Sequence, residues 1–441
     1  MRDDYTAFAD NSLKELAVSK YDDDDLEVKA IEFLRNPENF RAFNHGLIEL
    51  LKKKNFPGDL NNIFEMTDYL YERLREINST VKKITVQSWF DGIHRPKIEP
   101  ASRPRIYEIC FALNLTFDEV IWFFHHVYYD RAFNCHDISE GVFYFAFLNG
   151  VKYPEALAII NDIKSSSYGP NDKEEAALVY TSFIKNRLRE LHSTEELKSF
   201  IIQNKASFTV WNNTALQYIN KFFFEITGDE NTSKPVIQKI QHRLTHLNNK
   251  VKTIELNIND IDKCGLLVRE IIFDAKFSHA DKYEAEKLID RLKSKNTFSQ
   301  AFILENILET SSGLGKNPEI PYVVRLNFPS KKVLSEILNL LQSNTLKSYD
   351  AIRKTLILFH FYVFWCKFKL GDFSDDDGKL AETYREEADI LLEECGYEPL
   401  YSGNPYDWVF LFSAFSGDCK NTINTFRDIV SSLLSELEED Y

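Results

Sequence analysis

The sequence predicts an all-α, multi-helix protein, with a helical bundle in its N-terminal part followed by an extended helical region. Three observations carry this expectation. Only 15 Gly and 13 Pro punctuate 441 residues, so turn chemistry is sparse, which suits helices on short loops better than many short strands. Hydrophobic residues make up 44% and recur at i, i+3 and i+4, enough to bury a large core. Aromatics reach 14%, with 35 Phe and 21 Tyr, side chains that fill seams between helices or line a groove. At roughly 100–200 residues per domain, the length implies about two to four domains or one helical array.

The elements follow in order. An acidic run at 22–25 favours a helix start at Leu26, because carboxylates suit the positive end of a helix. Residues 40–54 place Phe43, Leu47, Leu50 and Leu51 on one face, and Pro57-Gly58 end them. Helices are expected at 68–77, 82–91, 106–115 and 117–127. The stretch SSSYGPND at 165–172 reads as a boundary. Beyond it, helices are expected at 173–190, after a Ser193/Glu196 capping box, and at 213–226, 236–247, 282–292 and 298–310. SSGLGKNPEIP at 311–321 is a second boundary. Helices at 331–342, 349–368, 377–395, 407–415 and 422–438 complete the chain. KTIELNI at 252–258 alternates like a strand, although a single strand would have nothing to pair with. The resulting division is 1–60, 61–164, 173–310 and 322–441.

The most informative stretch is KKITVQSWFDGIHRP at 82–96. A helix here turns Val86 and Trp89 inward and leaves Lys82, Lys83, Thr85, Gln87 and Ser88 on the more exposed side. Gly92 supplies a positive-φ stop and Pro96 prevents resumption. Upstream, DYLYERLREI buries Leu70, Leu74 and Ile77. Between the two lies Asn78-Ser79-Thr80, and Asn is the residue after Gly that best tolerates a left-handed turn. Two helices joined this way make a helix-turn-helix pattern.

Trp89, Gly92, Pro96, then Phe111-Ala112-Leu113-Asn114-Leu115 and Asp118-Glu119 resemble the phage-repressor-like (Xre-type) helix-turn-helix over about 60 residues. The usual turn Gly is replaced by Asn78, and a basic insert, KIEPASRPR at 97–105, separates the second helix from the next. The longer pattern is similar to multi-helix proteins of low-GC Gram-positive bacteria that begin with such a module. The resemblance implies that Lys82, Lys83, Thr85, Gln87 and Ser88 face base edges in a major groove. Gln87 would suit adenine, and Lys82 or Lys83 guanine or phosphate. His94, Arg95, Lys97, Arg103 and Arg105 would lie along the phosphate backbone.

Charge supports a local rather than a global site. The chain carries −15, which repels phosphate, yet eight basic residues stand against three acidic ones between Arg73 and Arg105. The same residues also fit a scaffold helix pair with solvated charges. A weaker pattern joins 118–150 to 387–418. In each, an apolar helix end, an aromatic link and a second apolar helix reach Ala146-Phe147 and Ala414-Phe415, as in a duplicated helical hairpin.

Other chemistry finds little footing. Six Cys include no CxxC pair and no disulfide framework. His125, His126, Cys135 and His136 lack metal-ligand spacing, because consecutive helical His point about 100° apart. His242 and His246 stand one turn apart on what reads as an exposed helix face. GLGK at 313–316 falls short of a phosphate loop. No catalytic centre, metal or cofactor is expected. TLILFHFYVFWC at 355–366 is too short to span a bilayer and reads as a buried helix between Lys354 and Lys367. Residues 1–10 carry acidic side chains and no apolar core, so no signal peptide and a bacterial cytoplasmic setting are expected. The functional expectation is a DNA-binding regulator of bacterial or mobile-element origin, with double-stranded DNA as partner and C-terminal helices that sense or recruit a protein. The alternative is an acidic helical interaction protein that binds a protein partner. The oligomeric state is open, a dimer included.

Overall fold

The computed structural model describes residues 5–18, 23–92, 94–96, 102–135, 137–166, 181–208, 213–227, 319–329, 349–370, 378–415 and 419–435. Every regular element among them is helical. The expected strand at 252–258, the helices at 236–247, 282–292, 298–310 and 331–342, the 313–316 loop and His242/His246 lie outside the described residues.

Helices α1 (Tyr5–Val18) and α2 (Asp23–Arg35) come first, α2 starting inside the acidic run. Helix α3 (Phe43–Lys53) closes with Lys52 and Lys53 at its negative end. Helix α4 (Ile63–Glu76) begins five residues before the expected start, because the Asn62 side chain caps it, accepting from Phe64 N at 3.1 Å. Helix α5 (Lys83–Phe90) follows, then α6 (Arg103–Ala112), with Pro104 in its first turn. Helix α7 (Phe117–Phe123) opens on a Thr116/Glu119 capping box and continues as a π-turn, Phe124–Tyr128. That turn ends on Tyr129 at φ 59, a conformation rare for a bulky side chain. Tyr129 is buried, and its hydroxyl donates to Arg41 O at 2.9 Å. Helices α8 (Ile138–Asn149), α9 (Tyr153–Ser165), α10 (Thr181–Glu190), α11 (Thr194–Gln203) and α12 (Asn213–Thr227) follow. The Ser193/Glu196 capping box is present at the start of α11. The remaining described helices are α13 (Tyr322–Arg325), α14 (Tyr349–Leu370), α15 (Leu380–Glu394), α16 (Pro405–Phe415) and α17 (Thr422–Ser435).

Two apolar cores organise these helices. One gathers α3 to α11. The other joins α1 and α2 to α12 and the C-terminal helices. The expected unit 1–60 is therefore divided between them. Phe33 of α2 stacks on Trp408 of α16 at 4.4 Å, a contact across most of the chain. The apolar run 355–366 is buried throughout within α14. Among the described residues no helix is long and apolar enough to cross a membrane.

The stretches 118–150 and 387–418 lie within two three-helix segments, α6–α7–α8 and α14–α15–α16, that share a buried arginine–carboxylate clamp. In the first, Arg103 of α6 holds Glu140, the third residue of α8, at 2.7 and 2.8 Å. In the second, Arg353 of α14 holds Asp407, the third residue of α16, at 2.7 Å through both nitrogens. Each carboxylate also accepts the backbone N–H six residues earlier, Asn134 N at 2.6 Å and Tyr401 N at 3.0 Å. Each arginine reaches back to a link carbonyl, Arg131 O at 3.1 Å and Pro399 O at 3.1 Å. An edge-on ring pair sits behind each clamp, Phe111–Phe143 at 5.6 Å and Phe361–Phe410 at 5.1 Å. Tyr129 and Gly396, both at positive φ, start the two links. The clamp aligns Glu140 with Asp407, one residue out of the register that pairs Ala146 with Ala414, and reaches back into α6 and α14, beyond the hairpins read from the sequence. The two arrangements meet where Arg131 donates to Gly396 O at 3.2 Å and lies over the rings of Tyr349 and Tyr397.

Candidate nucleic-acid interface

Helix α5 is held from behind. Val86, Trp89 and Phe90 are buried, and Trp89 meets Phe43 of α3 edge-on at 6.5 Å. These positions, i, i+3 and i+4, define one face. The opposite face carries exposed Ile84 and half-buried Ser88, flanked by exposed Thr85 and half-buried Gln87, while Lys82, the N-cap, and Lys83 stand exposed at the N-terminal end of the helix. Ser88 Oγ donates to Thr85 O at 2.7 Å, so its hydroxyl proton is already engaged by the helix.

The turn ahead of α5 is left-handed at Asn78 as the sequence suggests, and it is fastened by Glu108, which the sequence did not single out, and by Arg105, expected on a phosphate instead. Asn78 takes φ 61, and Ser79 N closes onto Leu74 O at 2.9 Å. Ser79 Oγ donates to Glu108 of α6 at 2.5 Å. Arg105 grips Glu108 at 3.0 Å and donates to Thr80 Oγ1 at 3.2 Å. Thus Glu108 and Arg105 fix Ser79 and Thr80 of the link against α6. Beyond α5, Gly92 takes φ 79. Asp91 there accepts from His94 N at 3.0 Å and meets His94 Nδ1 at 2.8 Å.

The basic residues expected along a phosphate backbone separate into three groups. Lys82 is exposed, and Lys83 is exposed but paired with Asp68 of α4. Arg105 is partly exposed and tied to Glu108. Arg73 and Arg75 of α4, which enter only the local charge balance, pair with Glu76 and Glu72. Arg103 corrects the expectation outright. It is 2% exposed and enclosed by Glu140 and Asp130, so its guanidinium braces the interior and cannot reach a surface phosphate. Arg95 also turns inward. Its Nη1 donates to Tyr128 O at 3.4 Å, and burial pulls its guanidinium below the usual arginine value despite Tyr128, Tyr129 and Asp350 nearby. Lys97 lies outside the described residues. The surface left for a ligand is therefore narrower than the sequence implied: Lys82, Lys83, Ile84, Thr85 and Gln87, with His94 nearby in sequence.

Ile84 is the residue sequence reading passed over. It is 68% exposed. Its position was legible, since it stands two residues before Val86 and so about 200° from the buried face.

Other candidate groups are absorbed by packing. The His125 and His126 rings both lie against Tyr401, at 4.8 and 4.7 Å. Burial, aided by His126 and Arg353, lowers His125 to about 3. Cys110, Cys366 and Cys395 are buried, as the apolar context implied, and so is Cys135. Burial raises the Cys135 and Cys395 thiols to about 12, where little nucleophilic thiolate forms. Between α12, α14 and α15 runs an open groove of about 340 Å³ with Phe222, Phe364 and Leu391 in its walls and Lys221 and Glu387 on its lips.

No protein-family model, curated protein or solved structure matches the chain.

Proposed function

We propose that α4 and α5 form a DNA-binding helix-turn-helix and that the protein is a DNA-binding regulator whose C-terminal helices engage a partner. The observation that carries this reading is the presentation of α5. It is anchored by Val86, Trp89 and Phe90, joined to α4 through left-handed Asn78, free of acidic side chains, and turned outward with Lys82, Lys83 and Thr85. A rigid helix with two leading lysines and a row of short polar groups suits a major groove, where lysines meet phosphate or guanine and polar groups meet base edges. With so few exposed cations, affinity has to rest on the groove contacts, and the salt dependence should be modest. The experiment is a titration of full-length protein against random and genomic duplex at rising salt. Sequence-selective binding that weakens with salt supports the reading, and absence of binding to any duplex at low salt removes it.

A second reading is favoured by the ion pairs. Lys83, Arg73, Arg75 and Arg105 each already hold a carboxylate, and Phe64 on α4 is 68% exposed. On this reading the same bundle is a docking platform for a protein partner. Affinity purification from source cells, compared with a Phe64→Ser variant, tests it: loss of a stoichiometric partner in the variant supports this reading, and no partner with either form counts against it.

A further inference from the structure

We propose that Ile84 is a specificity-determining residue that reads the 5-methyl group of a thymine in the major groove. The inference rests on the DNA-binding reading above and assigns a role to a side chain that the reading itself leaves unused.

Ile84 lacks the packing that every other apolar side chain of α5 has. It is the second residue of α5, and the other apolar side chains of that helix, Val86, Trp89 and Phe90, are all buried. Ile84 is 68% exposed on the opposite face. Scattered exposed apolar residues are ordinary on protein surfaces, so exposure by itself assigns nothing. Its neighbours make this one different. Lys82 and Lys83 precede it, Lys83 paired with Asp68 of α4 and Lys82 exposed, Gln87 and Ser88 lie one turn further along, at i+3 and i+4, and α5 itself contains no carboxylate. The ring of groups around Ile84 thus suits a polyanion with hydrogen-bonding edges, and its centre is a rigid branched hydrocarbon.

Thymine is the base that offers this combination. In the major groove it presents a carbonyl acceptor beside a methyl group, and the paired adenine presents an acceptor and a donor to which an amide can bond twice. Ile84 covers the methyl, while Gln87, one turn along, is placed for an adenine in the same or the next base pair. β-branching adds to the fit, because the helix backbone restricts the side chain to few rotamers and little freedom is lost on contact. Burying one methyl against the isoleucine is worth roughly a three- to tenfold affinity difference, since each buried carbon contributes about 0.8 kcal/mol before packing.

The test uses full-length protein and a duplex selected from a random pool. Each thymine of the selected duplex is replaced in turn by deoxyuridine, which removes the methyl and nothing else. The parent protein is expected to lose roughly three- to tenfold affinity at one position, and Ile84→Ala to be insensitive there while melting at the parent temperature. If the parent selects a sequence but is indifferent to every deoxyuridine, or if Ile84→Ala keeps the full penalty, the role of Ile84 is overturned and DNA binding stands. If the parent binds no duplex at low salt, both fall. Lys82→Ala separates the layers further: it should weaken binding to thymine and deoxyuridine duplexes alike, whereas Ile84→Ala should abolish only the difference between them.

Discussion

Arg103 and Glu140 meet through two parallel hydrogen bonds of 2.7 and 2.8 Å in the interior, with Asp130 on the third guanidinium nitrogen. Burial opposes charge on both partners, but each stabilises the other's charged form, so Arg103 stands above the usual arginine value and Glu140 below the usual carboxylate value. Removing one partner leaves the other charged and unpaired in a dry site. Arg103→Ala is expected to cost about 3–5 kcal/mol, read as a fall in urea midpoint, whereas exposed Lys82→Ala should change stability by less than about 0.5 kcal/mol. An Arg103→Ala protein that melts normally but loses DNA affinity would return Arg103 to the surface role the sequence suggested.

The repeated clamp makes a matched prediction. Asp407 accepts both Arg353 nitrogens and Tyr401 N, as Glu140 accepts Arg103 and Asn134 N. Asp407→Ala should therefore destabilise by about the same 3–5 kcal/mol as Glu140→Ala. Denaturation of the two variants checks it, and a cost below about 1 kcal/mol at either site would deny that the arrangements are mechanically equivalent.

Asn78 and Arg103 show how far the sequence could be read. The left-handed turn at Asn78 and the buried face of α5 depend on neighbours within one or two helical turns, so spacing alone located Asn78, Val86, Trp89 and Gly92. Ile84 was equally local, and its exposure follows from the same spacing. Arg103 was different. Nothing in Arg103-Pro104-Arg105 distinguishes the two arginines, and the buried one is chosen by Asp130 and Glu140, 27 and 37 residues on. The cores were less legible still, because Phe33 packs on Trp408, a partner that no local periodicity identifies.

The turn itself can be tested. At φ 61 an asparagine carries a modest strain that glycine lacks and a β-branched residue increases. Asn78→Gly should leave the unfolding midpoint nearly unchanged, and Asn78→Val should cost roughly 1–2 kcal/mol. Equal stability of the three proteins would mean the turn is not held in this conformation in solution.

His125 sets an acid limit on the fold. Held neutral by burial, it protonates near about 3, against 6.5 when free. Between those values the unfolded chain binds one more proton than the native state, so stability from this group falls as pH drops through that window, by up to about 1.4 kcal/mol per pH unit. A His125→Phe variant, which keeps a ring against Tyr401, should lose less stability than the parent between pH 6.5 and pH 4. Parallel stability curves for the two proteins would contradict the buried, neutral assignment.

The central claim is that the outward face of α5 contacts DNA. Its most direct measurement is the slope of log affinity against log salt for one selected duplex, in the parent and in Lys82→Ala. A phosphate contact contributes about 0.9 to that slope in duplex DNA. The account predicts weaker binding and a slope reduced by about 1 in Lys82→Ala; unchanged affinity and an unchanged slope would contradict it.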